Sequence, residues 1–132
     1  KPQVGFISGI GLKRGAFASS ISHDSHNIIA VGCTDQDLML AINELIKEKG
    51  GLTVNEEGKL HSLPLPIGGI ISDKSGREVA DRYMKLNEML LKMGTPLKSP
   101  FMTLSFMALI VIPTLKIGEK GIFDFEKFDF VK

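Results

Sequence analysis

Residues 15–32 read GAFASSISHDSHNIIAVG, and the two apolar runs in this stretch decide the fold class. AFASSI at 16–21 and IIAVG at 28–32 are short runs of strand-favouring residues, which predicts two strands joined by a polar connection. IIAVG is too apolar for a strand with one face in solvent, so we predict that it lies in the centre of a sheet. The polar SHDSHN segment between the two runs is then predicted to be a loop.

Further strand-like segments lie on both sides of this stretch. They are VGFISGI (4–10), LTV (52–54), KLHSL (59–63), VIPTLKI (111–117) and IFDFEKFDFV (122–131). LTV and KLHSL are joined by Asn55-Glu-Glu-Gly58, which predicts a hairpin with Gly58 in a left-handed turn position. In the last segment, Phe123 and Phe125 alternate with acidic residues, which predicts a single strand with one apolar side.

Two segments have the apolar period of a helix. Thr34 is a candidate N-cap, and the apolar residues after it repeat every three or four positions until Gly50. A second helix is predicted from Ser75 to Met93, and the apolar run 101–109 favours a third helix over a strand. We therefore predict an α+β (or α/β) fold for residues 1–132: one layered domain, mostly antiparallel sheet with two or three helices packed on one side of it.

The composition excludes several function classes. Hydrophobic residues make up 43% of the 132 residues and charged residues 23%, as in an ordinary globular domain. A net charge of +1 gives no basis for a nucleic-acid partner or an anionic membrane surface. FMALIVI at 106–112 is too short to span a membrane. The lone Cys33 is expected to be a buried thiol in a reducing, cytoplasmic protein, and the absence of an initial Met suggests processing or excision from a longer chain.

The loop at 22–27 concentrates the reactive side chains of the chain. His23, Asp24 and His26 carry ligand atoms that suit zinc, manganese or iron. Asp24, Ser25 and Asn27 are also common turn formers, so a plain surface turn explains the same residues. The residue types alone leave both interpretations open.

Other motifs in the sequence carry little chemical information. The glycines at 9, 11 and 15 are not followed by a helix, so they do not form a dinucleotide-binding fingerprint. Gly68-Gly69 lacks the lysine of a phosphate-binding loop, and no oriented base for Ser19, Ser20 or Ser22 is evident. His61, in a hairpin strand, is expected to be inert.

Five blocks together identify a family resemblance. GAFASSISHDSHNIIAVG, TDQDLMLAINELIKEKGG, LPLPIGGIIS, PFMTLSFMALIVIP and GIFDFEKFDFV occur in this order between about Gly5 and Val131. In this they resemble the C-terminal region of adenine deaminases of the amidohydrolase superfamily. The resemblance implies a cytoplasmic purine-salvage enzyme that converts adenine to hypoxanthine and ammonia. It also implies a metal-bearing (β/α)₈ barrel, a small β-sandwich and this additional domain.

The barrel implied by the resemblance cannot be part of this chain. A (β/α)₈ barrel takes about 250 residues, and the sequence contains three histidines and no His-x-His pair. The divalent metal, manganese or iron, is then expected to have its ligands mainly outside this chain, which should be inactive in isolation. The partners implied are the remaining domains of the enzyme, adenine as substrate, and other copies in a homo-oligomer.

Three roles for the domain remain open. In the first, His23 or His26 contacts substrate or an additional metal at the mouth of the active site, and Asp24 or Asn27 orients them. Ser25 lies within the same substrate- or metal-proximal loop. In the second role, the loop is a hydrogen-bonded turn that tethers the domain to its neighbours or to another subunit. In the third, the chain is a free-standing interaction module without a catalytic role.

Overall fold

The computed structural model describes residues 1–23 and 25–131. Within these ranges the strands are β1 (Ala16–Ser19), β2 (Ile29–Gly32), β3 (Gly51–Glu56), β4 (Lys59–Pro64), β5 (Leu115–Gly118), β6 (Gly121–Asp124) and β7 (Asp129–Phe130). The helices are α1 (Asp35–Lys47), α2 (Gly76–Lys92) and α3 (Pro100–Phe106). The predicted α+β class and the antiparallel sheet are confirmed. None of the described helices is long and apolar enough to cross a bilayer.

The main sheet is antiparallel, with strand order β2-β1-β3-β4, and a second sheet has the order β5-β6-β7. IIAVG was predicted to be central, but β2 is an edge strand, so this prediction was wrong. Ala30 packs towards α1, while Ile29 and Val31 belong to the cluster that includes α2 and α3. Because helices cover both faces of β2, it needs apolar residues on both faces even though only one of its edges is paired.

The central strand β1 separates two hydrophobic clusters. Ala16 and Ala18 face α1, where they pack with Ala41 and Leu45. Phe17 faces α2 and α3, and its ring meets the ring of Phe101 edge-on at 5.3 Å. Helices therefore lie on both faces of the sheet, whereas the sequence suggested only one. The alternation of small and large side chains in β1 makes this possible, because each face of a strand carries every second residue.

Residues 4–10, all of which the structure describes, form no strand, so that prediction was wrong. Residues 1–9 are exposed, and Ile10 is the first buried residue. Gly9 and Gly11 have φ angles of 84° and 73°, which interrupt an extended conformation. Ile10 joins the hydrophobic core, whereas the side chains of Val4, Phe6 and Ile7 do not.

The N-termini of the three helices include the one predicted cap, Thr34. Thr34 Oγ1 accepts a hydrogen bond from the Asp37 amide at 3.1 Å, and α1 begins at Asp35. Ser75 and Glu78 form a reciprocal capping box at the start of α2. The third segment is a helix, as favoured, and it starts at Pro100, a residue suited to the first turn.

The hairpin between β3 and β4 is confirmed, including the left-handed Gly58 (φ 87°). Asn55, which was predicted in the turn, is instead a buried residue of β3. Its amide donates to Asp37 Oδ1 at 2.8 Å, and its Oδ1 accepts from the Gly58 amide at 2.9 Å. Asn55 thus connects the hairpin turn to the first turn of α1.

The C-terminal segment is divided differently from the prediction. Asp124 Oδ1 accepts hydrogen bonds from the backbone amides of Glu126 and Lys127, at 3.0 and 3.2 Å, and the chain turns there. Phe125 therefore follows β6 instead of continuing it, and the single predicted strand is two strands. Phe123 is the centre of this small sheet, with the rings of Phe128 and Phe130 edge-on to it at 5.5 and 5.3 Å.

Three connections meet closely at the end of the main sheet where β1 ends. Ser20 Oγ accepts from the Gly51 amide at 2.7 Å and donates to the Gly69 carbonyl. A Cβ atom on Gly50 would lie 2.4 Å from the Gly69 Cα. The β1–β2, α1–β3 and β4–α2 connections are therefore packed backbone against backbone, which leaves no space for a side chain at Gly50.

The close approach at Gly50 predicts a large cost for Gly50→Ala. Gly58→Ala is the matched control, because Gly58 also has a positive φ but has no atom within 4 Å of the added Cβ. We expect Gly58→Ala to lower the free energy of unfolding by about 1–2 kcal/mol and Gly50→Ala by about 1–3 kcal/mol more, because backbone must move. Urea unfolding of both variants measures the difference. Equal losses would show that the packing of the three connections contributes nothing.

Candidate functional site

The SHDSHN segment forms the connection between β1 and β2 at the end of the main sheet. Ser22 is fully buried and His23 is half-buried, whereas Ser25, His26 and Asn27 are exposed. Asp24, the predicted carboxylate of the site, lies outside the described residues. The prediction of a loop is confirmed, and the structure places His23, Ser25, His26 and Asn27 in it.

The loop is closed by hydrogen bonds to Ser22. The Ser22 Oγ donates to the Asn27 carbonyl at 2.5 Å, and the Ser22 carbonyl accepts from the His26 amide at 2.8 Å. The Asn27 side-chain amide donates to Ser25 Oγ at 3.1 Å. Within this ring of contacts His26 takes a left-handed backbone conformation with φ 52°. The hydrogen bonds of Ser22 therefore hold His26 in an uncommon backbone conformation, with its side chain exposed.

His23 is positioned by α3. Its amide donates to the Ser105 carbonyl at 3.1 Å, which ties the loop to the C-terminal end of that helix. Its ring stacks on Phe106 with ring centres 4.8 Å apart and an angle of 29° between the planes. The loop thus has two supports, one from Ser22 beneath it and one from α3 beside it.

The described side chains of the loop, His23, Ser25, His26 and Asn27, do not form a complete metal site. The ring centres of His23 and His26 are 6.4 Å apart, whereas a tetrahedral ion about 2 Å from each nitrogen would bring the centres to about 5 Å. Among residues 1–23 and 25–131, no three His, Cys, Asp or Glu side chains are grouped to hold a metal. We therefore assign no reaction step to a metal held by this chain.

The prediction of a buried Cys33 was wrong, because this residue is exposed just after the edge strand β2. Its Sγ approaches the Leu12 carbonyl at 3.5 Å. Desolvation of the thiol raises the pKa of Cys33 above its ordinary value, and the negative charge of Asp37 adds a smaller increase. A raised pKa lowers the thiolate fraction, which does not favour a nucleophilic role for Cys33.

Two residues that shape the site were not identified from the sequence. Ser22 was counted among the polar groups of the motif, but its burial and anchoring role were not foreseen. Phe106 gave no sequence signal, because its contact with His23 joins segments that are far apart in the chain. His61 is exposed in β4, at the opposite edge of the sheet from β2.

Comparison with known proteins gives a consistent result. The profile of the family described as "Adenine deaminase C-terminal domain" matches residues 1–129. An adenine deaminase of Methanosarcina barkeri is 58% identical over 130 residues, which are 98% of this chain and 24% of that protein. Adenine deaminases of Sulfurovum sp. and Parabacteroides distasonis are 53% and 51% identical, over 99% and 98% of this chain and 25% and 24% of those proteins. The chain spans about a quarter of the length of the curated relatives it matches.

The anchoring role of Ser22 can be tested with Ser22→Ala, and Ser25→Ala serves as the exposed control in the same loop. Ser22→Ala removes a buried donor, so we expect a loss of about 1 kcal/mol in the free energy of unfolding and faster amide exchange at His26. Ser25→Ala should stay within about 0.5 kcal/mol. Urea unfolding and hydrogen exchange over residues 22–28 measure both effects. If the two serine variants behaved alike, Ser22 would not be the anchor.

Proposed function

The chain belongs to the adenine deaminase C-terminal domain family, and from this premise we propose that it is an accessory domain of an adenine deaminase. The complete enzyme would convert adenine and water to hypoxanthine and ammonia in cytoplasmic purine salvage. The proposal is supported by relatives that carry this name at 46–58% identity over nearly the whole chain. It is also supported by the size of the chain, because a barrel of the amidohydrolase superfamily needs about 250 residues.

Within this enzyme, we assign the loop 22–27 to the mouth of the active site. One observation carries this assignment: an exposed imidazole, that of His26, is held on a left-handed backbone by the buried Ser22. Sparsely populated backbone conformations persist only where the surrounding structure enforces them, and they cluster at functional sites. Together with His26, the substrate-proximal residues proposed are His23, Asp24, Ser25 and Asn27.

The chemistry of deamination indicates what these side chains can contribute. Water must attack the ring carbon that bears the amino group, and the departing ammonia must receive a proton. The imidazole of His26 can hydrogen-bond to a ring nitrogen or exchange a proton with the amino group. The Asn27 amide donates to Ser25, and its Oδ1 can accept from the exocyclic amino group. These are contributions to one wall of a pocket, and the remaining wall belongs to the rest of the enzyme.

The metal of the complete enzyme, manganese or iron, is proposed to be bound by that remaining part. A divalent metal would supply an activated water near neutral pH. The residues of this chain would bind and orient adenine beside it. Homo-oligomer formation is part of the same proposal, with the loop serving an active site in its own subunit or in a neighbouring one.

A purely structural role is the second candidate. It is favoured by the hydrogen bonds within the loop, because Ser22, Asn27 and Ser25 satisfy one another without any ligand. In that case the loop would only shape the end of the domain. The two candidates differ in whether the exposed imidazole affects catalysis.

His26→Asn in a full-length enzyme that carries this domain separates the two candidates. Asparagine tolerates the left-handed backbone but lacks the imidazole, so we expect a melting temperature within about 2 °C of the parent. The kcat/KM for adenine should fall by about tenfold or more, a loss of about 1.4 kcal/mol of transition-state stabilisation. His61→Asn is the control, because His61 is exposed in β4 at the opposite edge of the sheet from β2. Unchanged kinetics and metal content in both His26→Asn and His23→Ala would favour the structural role.

The chain of 132 residues is expected to be inactive by itself. With adenine and added manganese, iron or zinc, the purified chain should release no ammonia above the uncatalysed rate, because the proposed reacting groups lie in the rest of the enzyme. An ammonia assay measures this directly, with a full-length adenine deaminase as positive control. Metal-dependent turnover by the chain alone would contradict the accessory role.

A further inference from the structure

Exposed apolar side chains lie on three segments connected to the loop 22–27: Ile28 follows the loop, Phe106 stacks on His23, and the turn at 67–71 is hydrogen-bonded to Ser20 through Gly69. We call these side chains the apolar rim: Ile28, Ile67, Ile70, Ile71 and Phe106. We propose that the apolar rim is the surface on which this domain docks against the remaining part of the same polypeptide. This inference rests on the proposed function, because docking there would present the loop to the active site.

The exposure of the rim residues is the first support. Ile67, Ile70 and Ile71 are 52, 40 and 55% exposed, and Ile28 and Phe106 are 41 and 37% exposed. The three isoleucines lie within five consecutive residues of the β4–α2 connection. Clustered exposed apolar residues are typical of interaction surfaces, whereas single ones are not informative.

The rim is also held in place. Ile67 and Ile71 exchange two backbone hydrogen bonds of 3.1 Å, which closes the turn between them. The Gly69 carbonyl within this turn accepts from Ser20 Oγ, just before the loop 22–27. Phe106 contacts His23 from the other side of the loop. The isoleucines are therefore displayed on an ordered turn that is connected to the proposed site.

The charge distribution gives a separate argument. Residues 60–72 and 99–115, which supply the rim outside the β1–β2 connection, contain no Asp, Glu, Lys or Arg. The outer surface of α2 is different, with Arg77, Asp81, Arg82, Lys85 and Glu88 all exposed or nearly so. Interface cores are depleted in charged residues, whereas freely solvated faces are not. These two charge-free segments are therefore better suited to burial than the outer surface of α2.

The occupant we infer is the rest of the polypeptide. The relatives extend well beyond this domain, since the match covers only 24% of the Methanosarcina barkeri protein. A covalently attached partner is present at high effective concentration, so a modest apolar surface is sufficient for stable docking. The proposed role of the loop also requires the rest of the polypeptide to lie beside the loop.

The test uses a full-length enzyme that carries this domain, with the double substitution Ile70→Lys/Ile71→Lys. The control is Met39→Lys, because Met39 is 54% exposed in the first half of α1, which begins near the β3–β4 hairpin at the opposite end of the sheet from the rim. We expect the rim variant to show a larger radius of gyration in X-ray scattering. Amide exchange over residues 22–28 and 63–72 should be faster by about tenfold. Exchange in α1 and β3 should be unchanged, which shows that the domain remains folded, and the control should match the parent.

Two outcomes would overturn the docking proposal. Unchanged scattering and exchange in the rim variant would show that the rim is not a docking surface. A halved mass with unchanged exchange within the subunit would identify a second copy as the occupant instead.

His26→Asn does not alter the rim, so comparing it with the rim variant separates the docking proposal from the proposed catalytic role. If it left activity intact while the rim variant opened the molecule, docking would stand and the catalytic role would fail. The reverse pattern would refute docking alone.

Discussion

Burial of β1 on both faces is the constraint on which the rest of this domain depends. Ala16 and Ala18 are small enough for α1 to pack on one face, while Phe17 fills the space below α2 and α3 on the other. A strand covered on both faces and paired on both edges leaves only its ends exposed to connections. The polar loop 22–27 is therefore displaced to the end of the sheet, where Ser22 provides a buried anchor.

The domain shows a sharp contrast of polarity at that end. The loop offers imidazole, hydroxyl and carboxamide groups, whereas Ile28 and Phe106 next to it are apolar. This combination suits a surface that excludes water around a few polar contacts, as many ligand sites do. Under the proposed accessory role, a small domain without a metal site in its described residues would influence the reaction by position, because it would align groups and limit solvent access.

Local sequence signals predicted what local interactions determine. Sequence patterns predicted the Thr34 cap, the start of the second helix near Ser75, the apolar period of both long helices and the left-handed Gly58, because each depends on a few neighbouring residues. The edge position of β2, the irregular conformation of residues 4–10 and the exposure of Cys33 depend on which distant segments pack against them. The same holds for the site: its residue types indicated a loop, but the stacking of His23 on Phe106 joins parts of the chain that no local pattern connects.

The hairpin turn at Glu57 and Gly58 lies at the opposite end of β3 from the loop, and a Cβ on Gly58 would meet nothing within 4 Å. Connections of this kind tolerate inserted residues, because the strands on either side keep their pairing. An epitope, a fluorescent protein or a surface-attachment tag could therefore be introduced there without covering the polar end of the domain. The hairpin turn is therefore a suitable point at which to immobilise the protein in a defined orientation.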